Sequence, residues 1–82
     1  MDFAIILTTA SAAEEGRSIA NTLVEKQLAA CVNIIPKISS VYRWEGKIQS
    51  ETEVLLLIKT TKDLEAEVYR EVQAVHSYDT PE

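Results

Sequence analysis

The sequence predicts an α+β domain in which two helices pack on one antiparallel sheet. Three observations support this fold class. The chain has 82 residues with 46% hydrophobic side chains, which fits one small globular domain. Three apolar runs have the length of buried strands, and two other segments repeat their apolar residues at helical spacing. The predicted order of elements is β-α-β-β-α.

The first strand and the first helix occupy the N-terminal third of the chain. Phe3 to Thr8 is a continuous apolar run, which is typical of a strand that is buried on both faces. Ser11 followed by Glu14 matches a capping box, so a helix is predicted from there to about Gln27. Its predicted inner face carries Ile19, Ala20, Leu23, Val24 and Leu28.

A long bent hairpin arm is predicted from Ala29 to Gln49. Its first strand, Cys31 to Ile35, ends at Pro36, and the strand is expected to resume at Ser39 after a bend. An arm of this length is difficult to bury in so small a domain. The arm therefore indicates a surface for a partner.

The return strand and the second helix follow a tight turn. Glu45-Gly46 is the predicted turn, because Gly tolerates a positive φ. The return strand is expected over Lys47 to Thr60 and the helix over Asp63 to Val75. The predicted inner face of this helix carries Leu64, Val68, Val72 and Val75.

This order of elements matches a ferredoxin-like sandwich, β-α-β-β-α-β, without its last strand. We therefore interpret residues 1–82 as a single, C-terminally incomplete domain of that plan. A sheet that lacks its last strand has an open edge, where another chain can pair.

Composition excludes several classes of function. The net charge is −5 and no basic stripe is present, so nucleic acid is an improbable partner. The N-terminal apolar run is too short for a signal-peptide core or a membrane span. With one Cys no internal disulfide can form, and a cytoplasmic location is predicted. So short a chain buries only about 60–65% of its unfolded surface, which favours oligomerisation.

Four spaced motifs cover the second strand, the tip of the hairpin, the third strand and the C-terminal segment. The motifs read AACVNIIP (29–36), SVYRWEGKI (40–48), LLLIKTT (55–61) and HSYDTPE (76–82). Glu53 precedes the third of these motifs. Together the four motifs resemble one known family, the CutA divalent-cation tolerance proteins.

The resemblance implies a ferredoxin-like fold, a PII-like homotrimer whose hairpin strands pair across subunits, and a role in tolerance of divalent ions such as copper. It also implies a fourth strand that begins near Glu82 and a terminal helix after that strand. This sequence departs from the family pattern in carrying Ser77 and Asp79 in the last motif. It also lacks a Cys at Thr8 and a second His at Val75, which some relatives have.

Two residues are candidate metal ligands. His76 is the only His, and imidazole suits copper; it also lies where a helix C-terminus favours a protonated His. Cys31 is a soft ligand when deprotonated, but in an apolar strand a Cys more often packs as a small hydrophobe. Either residue alone is one ligand, and a specific site needs three or four. A trimer would multiply them.

Five further residues are predicted at a cleft or interface between subunits. Tyr42 and Trp44 are predicted as interface anchors, with ligand stacking as the alternative. Glu53 and Lys59 share a sheet face at even spacing. They either form an intersubunit ion pair or cleft, or are strand-end charges in water. Tyr78 is the fifth residue.

We expect no enzyme and no required cofactor, since no nucleophile–base spacing, phosphate loop or C-x-x-C pair is present. The first hypothesis is a non-enzymatic trimer that binds a divalent ion, copper being the candidate, between subunits. The alternative is a PII-like regulatory module that binds a small anion or a protein there, through Lys59, Arg43 and Tyr78. A scaffold without a small ligand is a third hypothesis.

Overall fold

A computed structural model describes residues 2–75 of the chain. The three strands form one antiparallel sheet in the order β1-β3-β2. The predicted order of elements is confirmed up to the second helix, and a fourth strand stays a prediction. The elements are β1 (Phe3–Ala10), α1 (Ala13–Glu25), β2 (Cys31–Trp44), β3 (Lys47–Thr61), a 3₁₀ turn (Lys62–Leu64) and α2 (Glu65–Val75).

The N-terminus of α1 differs from the predicted capping box. Ala12 is the N-cap residue and makes no side-chain cap. Because the helix begins at Ala13, its third residue is Glu15 rather than Glu14. Glu15 therefore reaches back, and its Oε1 accepts hydrogen bonds from the Ser11 N–H and hydroxyl, both at 3.2 Å.

The C-terminus of α1 closes with a Schellman motif. Gln27 has a φ of 59°, in the left-handed region. The Leu28 N–H donates to the Leu23 carbonyl at 2.9 Å, and the Gln27 N–H donates to the Val24 carbonyl at 3.0 Å. This closure turns the chain towards β2.

The bend predicted at Pro36 lies within one continuous strand. The register of β2 against β3 shifts between Ile35 and Ile38, and Lys37 has a φ of 60°. Ile35 pairs with Leu55 and Ile38 with Glu53, so both lie on the same face of the sheet although their spacing is odd. The bulge thereby places Tyr42 and Trp44 on the face that carries Cys31.

The predicted Glu45-Gly46 turn is confirmed. Both residues have positive φ, 51° and 77°, as a two-residue hairpin turn with the twist of the strands requires.

Both helices pack on one face of the sheet. Gly16 allows α1 to approach closely, because a Cβ there would lie 3.3 Å from a Leu56 methyl and 3.4 Å from a Val54 methyl. Val24, predicted on the inner face of α1, is 45% exposed. Val75 at the end of α2 is also exposed, because it lies beyond the helix–sheet contact. The core comprises Ile6, Ile19, Leu23, Ala29, Val54, Leu56, Ile58, Val68 and Val72.

The other face of the sheet has no cover among residues 2–75. The prediction that β1 is buried on both faces is therefore wrong for the single chain: Ile5 is 65% and Leu7 54% exposed. We call this surface the open face. Along β1, β3 and β2 it comprises Phe3, Ile5, Leu7, Thr9, Glu51, Glu53, Leu55, Leu57, Lys59, Cys31, Asn33, Ile35, Ile38, Tyr42 and Trp44.

Candidate functional site

The open face carries an apolar centre. Along the strands, Lys59 and Cys31 lie on one side of this centre, and Glu53 and Glu51 lie on the other side, towards the arm. Leu57 lies in register between Leu7 and Asn33, and Leu55 lies between Thr9 and Ile35. Cross-strand neighbours of this kind are in side-chain contact, so the centre forms one continuous surface.

Lys59 and Cys31 lie at one end of the open face. Lys59 is in register with Ile5 on one side and with Cys31 on the other. The Cys31 thiol is free and exposed, so the prediction that it packs as a small hydrophobe is wrong for the single chain. The physical reason is the same as for β1: in the described part of the chain, helices cover the strand on one side only. Cys31 is thus available as a soft metal ligand.

Residues 2–75 contain no group of three His, Cys, Asp or Glu side chains that could hold a metal ion. His76 and Tyr78 lie outside the described residues, so their positions stay predictions. A single copy of the described fold therefore supplies one candidate ligand, Cys31, where a specific site needs three or four.

Glu53 and Lys59 share the open face, as predicted, but they are not neighbours. Six residues of strand separate them, which is about 20 Å. Glu53 is only 5% exposed, so the interpretation as a strand-end charge in water is wrong for this residue. Glu53 lies inside β3, opposite the bulge, rather than at a strand end. Within one chain the two residues cannot form an ion pair.

The arm ends in exposed side chains. Trp44 is 62% exposed, and Val41 and Ile48 on the opposite face are 70% and 71% exposed. Tyr42 is half-buried, and its hydroxyl donates to Glu51 Oε1 at 2.7 Å. This bond orients the Tyr42 ring along the arm. The predicted role of Tyr42 and Trp44 as interface anchors stays a prediction.

The anion-binding set is not assembled within one chain. Arg43 pairs with Ile48 near the arm tip, whereas Lys59 lies near the opposite end of β3. Their separation along the strand is about 35 Å. Only a neighbouring copy could bring the two cations together.

A cavity at the base of the sheet was not predicted from the sequence. Its volume is about 650 Å³, and Lys59 and Cys31 are among its lining residues. Segments from β1, α1, the α1–β2 connection, β2, β3 and the 3₁₀ turn contribute walls, so no local motif indicates it. Its larger apolar walls are Phe3, Ile5, Val24, Leu28 and Leu64.

Comparison with known families matches the fold just described. The family model for the CutA1 divalent ion tolerance protein matches residues 4–82. The chain belongs to the CutA1 family. The resemblance on the four sequence motifs is thereby confirmed.

Curated CutA relatives are similar over most of this chain. The divalent-cation tolerance proteins CutA of Archaeoglobus fulgidus and Thermus thermophilus are 53% and 45% identical over 76 and 78 residues. These matches cover 93% and 95% of this chain, and 74% and 76% of the relatives. The chloroplastic CutA protein of Arabidopsis thaliana is 49% identical, and this chain spans only 43% of its length.

Solved CutA structures have the same fold. The Thermus thermophilus structure matches with a TM-score of 0.93 over 98% of this chain and 78% of that chain, at 44% identity. The Archaeoglobus fulgidus structure, described as a periplasmic divalent cation tolerance protein, matches with a TM-score of 0.92 over 96% of this chain and 76% of that chain, at 51% identity. In the described part of our chain, no helix is long and apolar enough to cross a membrane.

Proposed function

We propose that this chain acts in tolerance of divalent metal ions, copper in particular, as a non-enzymatic homotrimer that binds the ion between subunits. The observation that carries the proposal is the apolar surface of the sheet that residues 2–75 leave uncovered, in a chain of the CutA1 family. Because this surface also carries the exposed Cys31 thiol, assembly and metal binding concern the same face.

The exposure of apolar side chains supports assembly. Ile5, Leu7 and Ile35 on the open face are 65%, 54% and 38% exposed in the single chain. A contiguous apolar surface of this kind on a small domain marks an interaction site. Other copies of the chain are the simplest cover, because the core of one copy is marginal alone.

Threefold assembly follows from the family resemblance, as do the PII-like arrangement and the ferredoxin-like plan. The observed strand order β1-β3-β2 fits that plan, in which a fourth strand lies beside β1. A cytoplasmic location belongs to the same proposal. Sedimentation of the chain at micromolar concentration tests the threefold assembly, and a stable folded monomer would contradict that assembly.

Symmetry supplies the ligands that one copy lacks. Three copies would bring three Cys31 thiols, and three His76 imidazoles if these lie near the same cleft. Thiolate and imidazole are the protein ligands that copper ions prefer. A site between subunits then reaches the three or four ligands that specific binding needs.

Copper titration by calorimetry tests this assignment. We expect Cys31→Ser and His76→Ala to weaken copper binding by the trimer. Asn33→Ser, at the next position on the same face of β2, is the matched control and should leave copper binding unchanged. Unchanged affinity in both ligand variants would remove Cys31 and His76 from the site.

The alternative function, a PII-like module that binds a small anion, is favoured by one specific observation. Lys59 is exposed at one end of the open face and lines an apolar cavity there, on the surface that neighbouring copies would meet in the proposed assembly.

A further inference from the structure

The long strand β2 contains a bulge between its two halves. The register of β2 against β3 shifts between Ile35 and Ile38, so β2 carries one extra residue there. Pro36 and Lys37 together lie opposite one residue of β3. A bulge of this kind bends its strand and increases the local twist. We call this pair of residues the bulge, and residues 38–53 beyond it the outer arm.

The outer arm is a regular hairpin. From Ile38 to Trp44 each residue of β2 pairs with one residue of β3, up to the two-residue turn. The Tyr42 hydroxyl also donates to Glu51 across the outer arm at 2.7 Å. Within residues 31–61 the bulge is the one irregularity in the pairing of these two strands. It therefore sets the direction of the outer arm relative to the rest of the sheet.

The backbone of the bulge is strained. Lys37 has a φ of 60°, in the left-handed region that disfavours residues with a Cβ. Its side chain is exposed, and among residues 2–75 the one ion pair joins Lys26 to Glu71, so no ion pair there compensates the strain. Strained residues concentrate where the geometry of the backbone has a role. The bulge is therefore a functional feature rather than a defect.

The outer arm has exposed apolar side chains on both of its faces. Trp44 on the open face is 62% exposed, and Val41 and Ile48 on the opposite face are 70% and 71% exposed. A two-stranded hairpin is at best marginally stable in water, so contact with neighbouring copies would stabilise the outer arm. These side chains make the outer arm a contact surface in the proposed homotrimer.

A ring of three identical copies needs a fixed angle at each contact. Each copy in such a ring uses two different surfaces, one for each neighbour. The ring closes only when the rotation between neighbours has the correct value, and another rotation gives an open chain of copies. Because the outer arm is one of the contact surfaces, its direction determines this rotation.

We propose that the Pro36-Lys37 bulge sets the angle at which the outer arm meets a neighbouring copy, so that the assembly closes as a ring. The inference rests on the proposed homotrimer and deepens it, because it names the residues that determine closure. It does not involve the metal ion. A monomeric parent would overturn the homotrimer and the role of the bulge together, whereas a closed ring without the bulge would overturn the role of the bulge alone.

Deletion of Lys37 from the full chain tests this role, because it removes the bulge without changing the pairing. Pro36 then lies alone opposite the one residue of β3, so the cross-strand pairs on both sides keep their partners. We expect an unchanged circular dichroism spectrum and retained NMR contacts between Tyr42 and Gln49. In sedimentation velocity at micromolar concentration, the share of closed trimer should fall at least tenfold, in favour of monomers or of open assemblies that grow with concentration.

Two substitutions keep the length of the chain. Lys37→Gly is the matched control: it removes the same ammonium as the deletion, but glycine adopts this φ freely, so the closed trimer should form as in the parent. Lys37→Val places a β-branched residue in the left-handed region, which is strongly disfavoured. Free copies can relax from that conformation, whereas the ring requires it, so association should weaken by about fivefold or more.

Three results would overturn the role of the bulge. The first is a folded deletion variant that forms the same closed trimer as the parent. The second is loss of the trimer in Lys37→Gly, which would assign the effect to the lysine side chain rather than to the backbone. The third is an equal association constant of Lys37→Val and Lys37→Gly, which applies even where the deletion variant does not fold.

Discussion

Leu7→Lys should dissociate the assembly while leaving the single-chain fold intact. Leu7 lies at the apolar centre of the open face and is 54% exposed in one copy. Full burial of a leucine contributes about 1.5–3 kcal/mol, so roughly half of that is still available to an interface. The variant loses this term, and it also places an ammonium in the interface at an effective penalty of several kcal/mol.

Over three copies the loss of interface free energy is on the order of 10 kcal/mol or more. A micromolar to nanomolar association has a free energy of about 8–12 kcal/mol in total, so the loss is large enough to dissociate the assembly. Sedimentation velocity at micromolar concentration measures the result, and circular dichroism checks the fold. Tyr69→Lys is the matched control, because Tyr69 is also 54% exposed but lies on α2, on the other side of the molecule. Leu7→Lys sedimenting as the parent does would refute the assignment of the open face.

Three further predictions concern stability, measured by denaturant unfolding. Thr8→Val should stabilise the chain by about 1–2 kcal/mol, because the Thr8 hydroxyl is buried and has no hydrogen-bond partner among the described residues. Gln27→Gly should stabilise it by about 0.5–1 kcal/mol, since the Schellman residue has positive φ. Gln73→Gly, at an exposed position of α2 with helical φ, should cost up to about 1 kcal/mol instead. Glu71→Gln should cost less than about 1 kcal/mol, because the 2.8 Å ion pair with Lys26 is partly exposed to solvent.

Each of these predictions has a clear contrary result. A destabilised Thr8→Val would mean that the hydroxyl has a partner that the described residues do not include. Equal effects of Gln27→Gly and Gln73→Gly would contradict the left-handed cap. A salt-independent loss above 2 kcal/mol in Glu71→Gln would mean that the ion pair is not a surface interaction.

Local signals in the sequence were sufficient for the order of the elements and for their connections. Gly46 predicts a turn at Glu45-Gly46 because glycine tolerates positive φ, and the structure has positive φ at both residues. Pro36 predicts a bend because it has no N–H to donate in the sheet. The capping box was wrong by one residue. Ser11 is followed by two consecutive glutamates, so the sequence fits a helix that begins at Ala12 or one that begins at Ala13. The structure has the first helical residue at Ala13, which makes Glu15 rather than Glu14 the partner of Ser11.

The faces of the sheet were harder to predict. A continuous apolar run such as Phe3 to Thr8 does not tell whether the second face is covered by a helix of the same chain or by another copy. Residues 2–75 cover one face only, which leaves Cys31 exposed as well. The bulge at Lys37 also reverses the alternation along β2, so the face that carries Tyr42 cannot be counted from Cys31. The cavity beside Lys59 depends on segments far apart in sequence.

Copper titration of the parent and of Leu7→Lys, each at a concentration where its state of assembly is known, tests the central claim most directly. A site between subunits predicts that the assembled parent binds copper and that the dissociated Leu7→Lys chain loses most of this affinity, although Cys31 and His76 are still present. Equal copper affinity of the parent and the dissociated variant would contradict the claim, because the site would then be complete within one chain.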